Sequence, residues 1–583
     1  MANPRQFNPY IPDATYEPIN IVSYGTAALT DTSDALNSII AHINATELQR
    51  GAIYLPPRVY TVKTDITIPS NVHLIFERGA KLSPDSGKTV TIAGTLDAPM
   101  SQVFGGSGTV TLSGVIDKIY PQWWGAKGDG TTDDTAAINA AITAANAVTT
   151  STIATGVTVY FPAGLYLCNS AITAPSRNIR LLGASGAVWS TTRTSASVFK
   201  AGFQDDALFD LGSSSSNVTF ENLGFYGGQT SAGGSLNHNA IEAASANNLR
   251  VKGCSFTYWG GSAVKVSAGT NKWVEHTQTT NCLMAYGDLA DYQGVLHFAG
   301  TENNFVECNI NGPAFTASTH SSAGSGYQAA VYLAGAPISA YKLVAAFSQT
   351  GIVISGGVTN SPSTFVACRA EFNQGHGWII NGSDCSFVRC TAYGNSLDTD
   401  NTYDGFYTVR VSPNFALRND YTDCVVTNYD GSYRTRYAFT DQNNGAGNVF
   451  AYANRYDAGC RGASMGTRKF NSTVGSTPPI IQTQNYRQAL SGTGTQTFDG
   501  ESGNIWHLTV NANTATTIAA QNLLPGVVYY LYITQHSGAP TITLDTVFAK
   551  KAFTSPAASK QVGLVFRSDG TSLYQMGAST GDM

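Results

Sequence analysis

The chain has 583 residues, of which 12% are charged, and a formal net charge of −5. Ordinary domains carry about 25% charged residues, and here glycine, with 59 residues, and small polar residues replace lysine and glutamate. This composition disfavours long surface helices and favours short strands joined by polar turns, and the lack of a basic cluster argues against nucleic acid and anionic membranes as partners.

The N-terminus, MANPRQFNPY, lacks the charged and apolar regions of a signal peptide, and no apolar run reaches the length of a membrane span. We therefore expect no membrane insertion and no export through a signal peptide. The nine cysteines occur singly, without a CxxC pair. They predict buried thiols, and we expect neither a metal site nor a cofactor.

Two early segments are similar to each other. DTSDALNSII (Asp31–Ile40) aligns with DDTAAINAAI (Asp133–Ile142), and YLPPRVYTV (Tyr54–Val62) aligns with YFPAGLYLC (Tyr160–Cys168). Each copy predicts a turn, a short helix and then strands. Residues 21–118 are therefore interpreted as a small β-helix-like module that precedes a larger one.

The opening of the second copy, GAKGDGTTDDTAAINAAI, contains several glycines and three aspartates. Lys127 precedes Asp129 in the wrong frame for a phosphate loop, and the twelfth position counted from Asp129 is Ala140 where a calcium loop needs glutamate. Asp133 or Asp134 suits a helix N-cap, and a helix here would cover the open end of a solenoid. We interpret this opening loop as a structural lid.

A looser repeat runs from about residue 211 to residue 462. FVEC, FVAC, FVRC and YTDC share one frame, and the shortest step is 22 residues, enough for three short strands with turns. Such repeats predict the stacked rungs of a solenoid. The equivalent inward slots are Leu223, Cys254, Cys282, Cys308, Ala346, Cys368, Cys390 and Cys424.

YPQWWGAKGDGTTDDTAAINAAI followed by VYFPAGLYLC resembles the opening of the pectate-lyase-like right-handed β-helices of bacteriophage tailspikes and capsule depolymerases. The resemblance implies an all-β fold, with a right-handed parallel β-helix over residues 119–470. It also implies a homotrimer on the virion that binds and cleaves a bacterial surface polysaccharide, which is a capsule, an exopolysaccharide or an O-antigen. Residues 1–20 would attach it to other phage tail proteins.

The C-terminal sequence departs from the rung pattern. Residues 471–485 are interpreted as a linker, and residues 486–583 as a separate β-sandwich with a hairpin turn at Asp569–Gly570. The position of this domain in the chain resembles that of the trimerising or carbohydrate-binding end domains of tail proteins.

One candidate site follows the slots, because residues one and three positions after an inward slot point outward. Glu371 is the only carboxylate in that outward set, and the loop NSLDTDNTYDG brings Asp400 and Asp404 to the next rung. Hydrolysis of a glycosidic bond uses two such carboxyl groups, so Glu371 with Asp404 or Asp400 is the first hypothesis. Asp288 and Asp291 form a second acidic cluster. The residues predicted to bind substrate are Arg369, Tyr393, Asn309, Gln349 and Tyr403.

A second candidate site lies on the next strand of each rung. Alignment of AIEA, AVKV, VLHF and VYLA places Glu242, Lys265, His297 and Tyr332 outward on successive rungs, and Val353, Ile379 and Tyr407 follow. Lysine, histidine and tyrosine side by side suit β-elimination next to a uronic acid carboxylate. The alternatives left open are a hydrolase, a lyase and a non-catalytic adhesin that binds the same glycan.

Overall fold

The computed structural model describes residues 17–24, 31–46, 49–114, 116–150, 156–185, 195–213, 215–228, 238–282, 293–312, 328–355, 362–398, 402–411, 414–415, 419–428, 435–441, 455–456, 487–500, 504–521, 523, 527–549 and 555–579. The chain divides into two compact units, whose described residues are 17–312 and 328–579. Both α-helices lie in the first unit, at Ser33–Ala45 and Thr135–Thr150, each shortly after a 3₁₀ turn, Ile21–Tyr24 or Pro121–Trp124. No helix in the described ranges is long and apolar enough to cross a membrane.

The first unit begins with a small module of three parallel sheets. One sheet holds Ile19–Asn20, Gly51–Leu55, Val72–Phe76 and Thr95–Asp97; the second holds Val59–Val62 and Lys81–Pro84; the third holds Ile66–Ile68, Thr89–Ile92 and Thr109–Leu112. Successive strands visit the three sheets in turn, which is the architecture of a β-helix.

The similarity between the two early segments extends to individual hydrogen bonds. Thr32 donates its backbone N–H to the carbonyl of Thr61, and Asp134, its counterpart, donates to the carbonyl of Leu167. Two tyrosine hydroxyls repeat a second bond: Tyr60 donates to Pro56 O and Tyr166 to Pro162 O, each at 2.8 Å. The two segments are therefore one structural module used twice.

The main solenoid of the first unit has three faces of parallel strands. The first face holds Lys118–Ile119, Val157–Phe161, Arg177–Gly183, Ser215–Glu221, Arg250–Lys252, Lys272–Glu275 and Asn303–Val306, with Ala246–Asn247 beside Ser215–Glu221. The second face holds Asp129–Asp133, Gly164–Cys168, Ser197–Ala201, Gly224–Tyr226, Ser255–Thr257, Gln278–Thr280 and Asn309–Asn311. The third face holds Phe209–Asp210, Ile241–Ala243, Val264–Val266 and Gln293–Phe298.

The second unit also contains three faces of parallel strands. The first holds Ile338–Tyr341, Ser363–Val366, Cys385–Val388 and Asp420–Thr422; the second holds Val344–Ala346, Arg369–Glu371, Thr391–Tyr393, Val425–Thr427 and Arg455–Tyr456; the third holds Gln328–Ala334, Thr350–Ser355, Trp378–Asn381, Phe406–Thr408 and Phe439–Asp441. A short antiparallel pair, Arg410–Val411 with Asn414–Phe415, follows the fourth strand of the third face. The predicted parallel β-helix is thus confirmed in both units.

The cores of the two solenoids are columns of like side chains. Phe225 stacks on Phe256 at 4.6 Å between ring centroids, and Phe365, Phe387 and Tyr421 form a similar column. All eight cysteines in the described residues are buried and free, as predicted. Because the rungs are in register, like side chains at several inward positions stack on one another.

Two predicted slots are wrong. Gln278 pairs with Ser255 and with Asn309, so the residue equivalent to the inward Cys254 and Cys308 is the buried Thr277, and Cys282 lies beyond the end of this strand.

The second error is at Ala346. Val344 pairs with Arg369, and Ala346 pairs with Glu371. The residue equivalent to the inward Cys368 is therefore Leu343, which is fully buried, and Ala346 is an ordinary strand position three residues later. Consequently Phe347 and Gln349 lie in the corner after this strand and do not occupy the outward positions assigned to them.

The C-terminal part of the second unit consists of two sheets around an apolar core that includes Trp506, Tyr529 and Phe566. The six-stranded sheet has the order Arg487–Gly492, Ile505–Val510, Val528–Thr534, Gln561–Ser568, Leu573–Ser579, Phe548–Ala549, and the three-stranded sheet has the order Gly494–Asp499, Thr516–Gln521, Ile542–Leu544. The first six strands alternate between the sheets and pair in parallel. The predicted turn at Asp569–Gly570 joins the antiparallel pair Gln561–Ser568 and Leu573–Ser579. The predicted linker, residues 471–485, lies outside the described residues, as do residues 1–16 of the predicted attachment segment.

Candidate functional site

The third face of the first unit carries a polar column. Asp210 pairs with Glu242, Glu242 with Lys265, and Lys265 with His297 on successive strands. In the strands of Glu242 and Lys265 the residues on either side are buried, whereas these central side chains are half-buried. The alternation that buries the apolar neighbours therefore aligns four titratable side chains on the outer surface, which we call the polar column.

The carboxylate of Glu242 is held on both oxygens. Lys265 Nζ lies 2.9 Å from one oxygen, and Asn239 Nδ2 donates to the other at 2.7 Å. Asn239 is itself fixed, since its Oδ1 accepts the backbone N–H of Ser262 at 2.6 Å. Sequence reasoning missed Asn239, although an asparagine three residues before an outward glutamate is within reach of its carboxylate at such a corner.

His297 lies at the end of the column within the first unit. Burial, together with the nearby ammonium of Lys265, lowers its pKa to about 4. The imidazole is therefore neutral near neutral pH. The column combines a cation, a carboxylate that orients it and a neutral nitrogen base, which suits binding of an anionic sugar and proton transfer next to its carboxylate.

Tyr332 lies on the third face of the second unit. It pairs with Val353, Val353 pairs with Ile379, and Ile379 pairs with Tyr407. These are the positions expected from the sequence alignment, and Tyr332 is half-buried.

Glu371 lies on the second face of the second unit, beside Tyr393 of the next strand. Its carboxylate oxygen Oε2 lies 2.5 Å from Nη2 of Arg369, and the glutamate side chain is only 16% exposed. The outward direction expected from the sequence is correct. The carboxylate forms an ion pair with Arg369 of its own strand, and such a pair is a structural role that competes with a catalytic one.

Asp404 is fully buried, which corrects its expected position in an exposed loop. Arg436 Nε and Nη2 each donate to a different carboxylate oxygen at 2.9 Å, and the N–H of Tyr437 donates to Oδ1. These hydrogen bonds raise the pKa of Arg436. Both oxygens are occupied, so Asp404 is fixed in a structural ion pair with a partner that sequence reasoning missed.

His376 lies next to this ion pair. Its Nδ1 accepts the backbone N–H of Asp404 at 3.0 Å, and its ring stacks on Tyr407 at 4.4 Å between centroids. Tyr403, predicted to bind substrate, packs against the edge of the same ring. Burial lowers the pKa of His376 to about 4. The imidazole in this aromatic cluster is therefore uncharged near neutral pH.

The remaining predicted site residues are dispersed. Asn309 is exposed on the second face of the first unit, and Gln349 Oε1 accepts the backbone N–H of Gln328 at 3.0 Å. Asp288, Asp291 and Asp400 lie outside the described residues. Within the described ranges, no group of three or more histidine, cysteine, aspartate or glutamate side chains could hold a metal ion.

Comparison with known families identifies one segment of the chain. Residues 123–312 match the family described as rhamnogalacturonase A/epimerase, pectate lyase-like. This segment contains the opening loop and the strands that carry Glu242, Lys265 and His297. The pectate-lyase-like resemblance seen in the sequence is confirmed there. No curated protein matches the sequence.

Several solved structures are similar in fold. The A-module of the Azotobacter vinelandii mannuronan C-5 epimerase AlgE4 is 13% identical, covers 58% of this chain and 95% of its own, and has a TM-score of 0.40. A rhamnogalacturonan lyase is 13% identical, covers 58% of this chain and 88% of its own, and has a TM-score of 0.38. ORF18 of Geobacillus virus E2 is 13% identical, covers 79% of this chain and 76% of its own, and has a TM-score of 0.33. Scores this low transfer no activity to the present chain.

Proposed function

We propose that this protein is a phage-borne depolymerase of an acidic bacterial surface polysaccharide, and that it cleaves its substrate by β-elimination at the polar column. The observation that carries the proposal is the in-register series Glu242, Lys265 and His297 on one outer face. The match of the same segment to a pectate-lyase-like family supports a polysaccharide substrate. The opening loop, which resembles that of tailspikes, supports a phage origin.

The column supplies the groups that elimination requires. Lys265 would bind the uronate carboxylate and so acidify the neighbouring C–H, and Glu242 would keep the ammonium in place. His297 would accept that proton, because its imidazole is neutral and a bound anion raises its pKa. A carbon–carbon double bond then forms, the glycosidic C–O bond on the β carbon breaks, and the leaving oxygen takes a proton from water.

The first test is product analysis. Alginate, polygalacturonate, hyaluronan and purified bacterial capsules would be digested, and the ultraviolet absorbance of unsaturated uronates would be followed together with new reducing ends. We expect both signals to rise with the wild-type protein. Lys265→Ala should lower the rate about 100-fold or more, as expected for a group that acts in proton transfer or charge stabilisation.

The matched control is Lys252→Ala. Lys252 lies on the first face of the same unit, where its ammonium is 3.5 Å from Glu221. The Lys252→Ala variant should therefore cleave the polysaccharide at the wild-type rate. Equal cleavage rates for Lys265→Ala and Lys252→Ala would show that the polar column is not the active site. New reducing ends without ultraviolet absorbance would show that the reaction is not β-elimination.

Hydrolysis near Glu371 is the second candidate. It is favoured by the half-buried carboxylate beside the aromatic ring of Tyr393. Asp404 gives it no support, because both of its oxygens bind Arg436. Reducing ends without unsaturated product, lost in Glu371→Gln, would favour this reaction, whereas binding without any product would favour an adhesin. In each case we expect a homotrimer attached to the virion through the N-terminal segment, which sedimentation of the full chain would test.

A further inference from the structure

Three aromatic side chains line one corner of the second unit. Phe347 and Phe372 stack with 5.6 Å between ring centroids and 10° between planes, and Tyr393 meets Phe372 edge-on at 5.1 Å. Phe347 is 42% exposed although it is a large apolar residue. We call these three residues the aromatic ledge. Phe372 and Tyr393 are half-buried, so part of each of the three rings faces solvent. Contiguous apolar surface of this kind is a candidate interaction site.

The backbone of the ledge carries strain. Phe347 has φ of 54° and Phe372 has φ of 55°, in the left-handed region that bulky residues avoid. Gly394 occupies the equivalent corner of the next rung with φ of 57°. Its N–H bonds to Thr427 O just as the N–H of Phe372 bonds to Tyr393 O. Glycine therefore satisfies this corner without strain, whereas each phenylalanine is strained there.

The chemistry beside the rings indicates the ligand. Arg369 and Glu371 form their ion pair on the strand that leads into Phe372. Cores of protein–protein interfaces are depleted of such charges. A sugar chain, in contrast, presents apolar C–H faces to aromatic rings and hydroxyl groups to neighbouring charged side chains. Rings next to an accessible ion pair fit a glycan better than a second protein surface.

We propose that the aromatic ledge is a separate glycan-binding site in the second unit, which holds the polysaccharide during repeated cleavage. This proposal rests on the proposed function for the identity of the polymer, but it assigns no catalytic role to the ledge. Loss of the ledge should therefore weaken binding of long chains and leave turnover of short oligosaccharides unchanged.

The test variant is the double substitution Phe347→Gly and Phe372→Gly, since glycine fits the left-handed corner and the fold should keep or raise its melting temperature. Binding would be measured by affinity electrophoresis in gels containing alginate, polygalacturonate, hyaluronan or purified bacterial capsules. We expect binding at least about tenfold weaker than wild type, equivalent to about 1.4 kcal/mol. The control Tyr341→Ala removes a ring that is 43% exposed on the first face of the same unit, and it should bind like wild type.

The outcomes separate the two proposals. If the wild type cleaves polysaccharide and the double variant binds it equally well, the ledge is not a glycan site while the proposed function stands. If the double variant instead changes the oligomeric state in sedimentation with unchanged glycan affinity, the ledge is a protein interface and the proposal is overturned. If the wild type binds none of the glycans, the proposed function and the ledge both fail.

Discussion

Lys272 is a buried cation inside the first solenoid. Its side chain is 1% exposed, and Nζ donates to the carbonyl of Gly269 at 2.5 Å. Burial lowers the pKa of Lys272 from 10.5 to about 8. Between these values the unfolded chain binds a proton that the folded chain does not, so this residue adds stability as pH rises.

The prediction concerns the difference in unfolding free energy between wild type and Lys272→Met. From about pH 8 to pH 10.5, wild type should gain about 3 kcal/mol of unfolding free energy relative to Lys272→Met. The thiols of the unfolded chain also titrate in this range, whereas burial raises the pKa of thiols such as Cys254 in the folded protein. This contribution is equal in both proteins and cancels. Denaturant midpoints across this range would measure the gain, with Lys252→Met, an exposed lysine, as a control that should parallel wild type. A constant difference between wild type and Lys272→Met would show that Lys272 titrates normally.

At the scale of single residues, the sequence predicts well which positions point into the core. It predicts poorly which residues form ion pairs or hydrogen bonds with each other. The slots at Cys308, Cys368, Cys390 and Cys424 were predictable because each of these cysteines directly precedes a strand of the same register. The errors at Cys282 and Ala346 arose because the slots of those two rungs hold Thr277 and Leu343 and no cysteine. The residues that precede these slots, His276 and Lys342, have φ of 47° and 51°. A lysine in the sequence does not predict a left-handed backbone conformation. The Asp404–Arg436 pair joins residues one rung apart through an insertion of variable length, so spacing could not reveal it.

The opening loop shows how an element can imitate a catalytic motif. Asp134 is buried, and its two carboxylate oxygens accept the N–H groups of Lys127 and Gly128 at 2.7 and 2.9 Å. Asp133 accepts the N–H of Thr135 at the start of the helix. The aspartates therefore close the loop onto the helix that follows it, as the lid interpretation requires.

A substitution in this element should affect folding and not chemistry. Asp134→Ala leaves two partly buried N–H groups without their acceptors, which costs at most about 1–3 kcal/mol for each group. We expect a lower melting temperature and faster hydrogen exchange at Lys127 and Gly128, with the rate per folded molecule unchanged. Asp34→Ala, in the exposed first turn of the earlier helix, should be neutral. Loss of activity in folded Asp134→Ala would contradict the lid role.

At the scale of the whole molecule, low charge, abundant turn residues and a variable repeat were sufficient to predict a solenoid of stacked strands, and the family resemblance of the opening loop implied that the solenoid is a parallel β-helix. A solenoid needs only local strand patterns, because each rung contacts its neighbours and repeats their register. The C-terminal sheets were harder to predict. Alternating strands such as IWHLTV predict a half-buried sheet, but they do not distinguish the parallel exchange between two sheets seen here from antiparallel hairpins.

Buried neutral histidines in both units predict acid sensitivity. Burial lowers the pKa values of His238, His297 and His376 to about 4. Unfolded histidines bind protons below about pH 6.5, so folding stability is lost as pH falls from about 6.5 to 4. Each histidine contributes about 1.4 kcal/mol per pH unit within that window. Denaturant midpoints across the window should fall steeply for wild type and less steeply for a variant that combines His238→Gln with His376→Gln. Parallel curves for the two proteins would show that both imidazoles are protonated in the folded state.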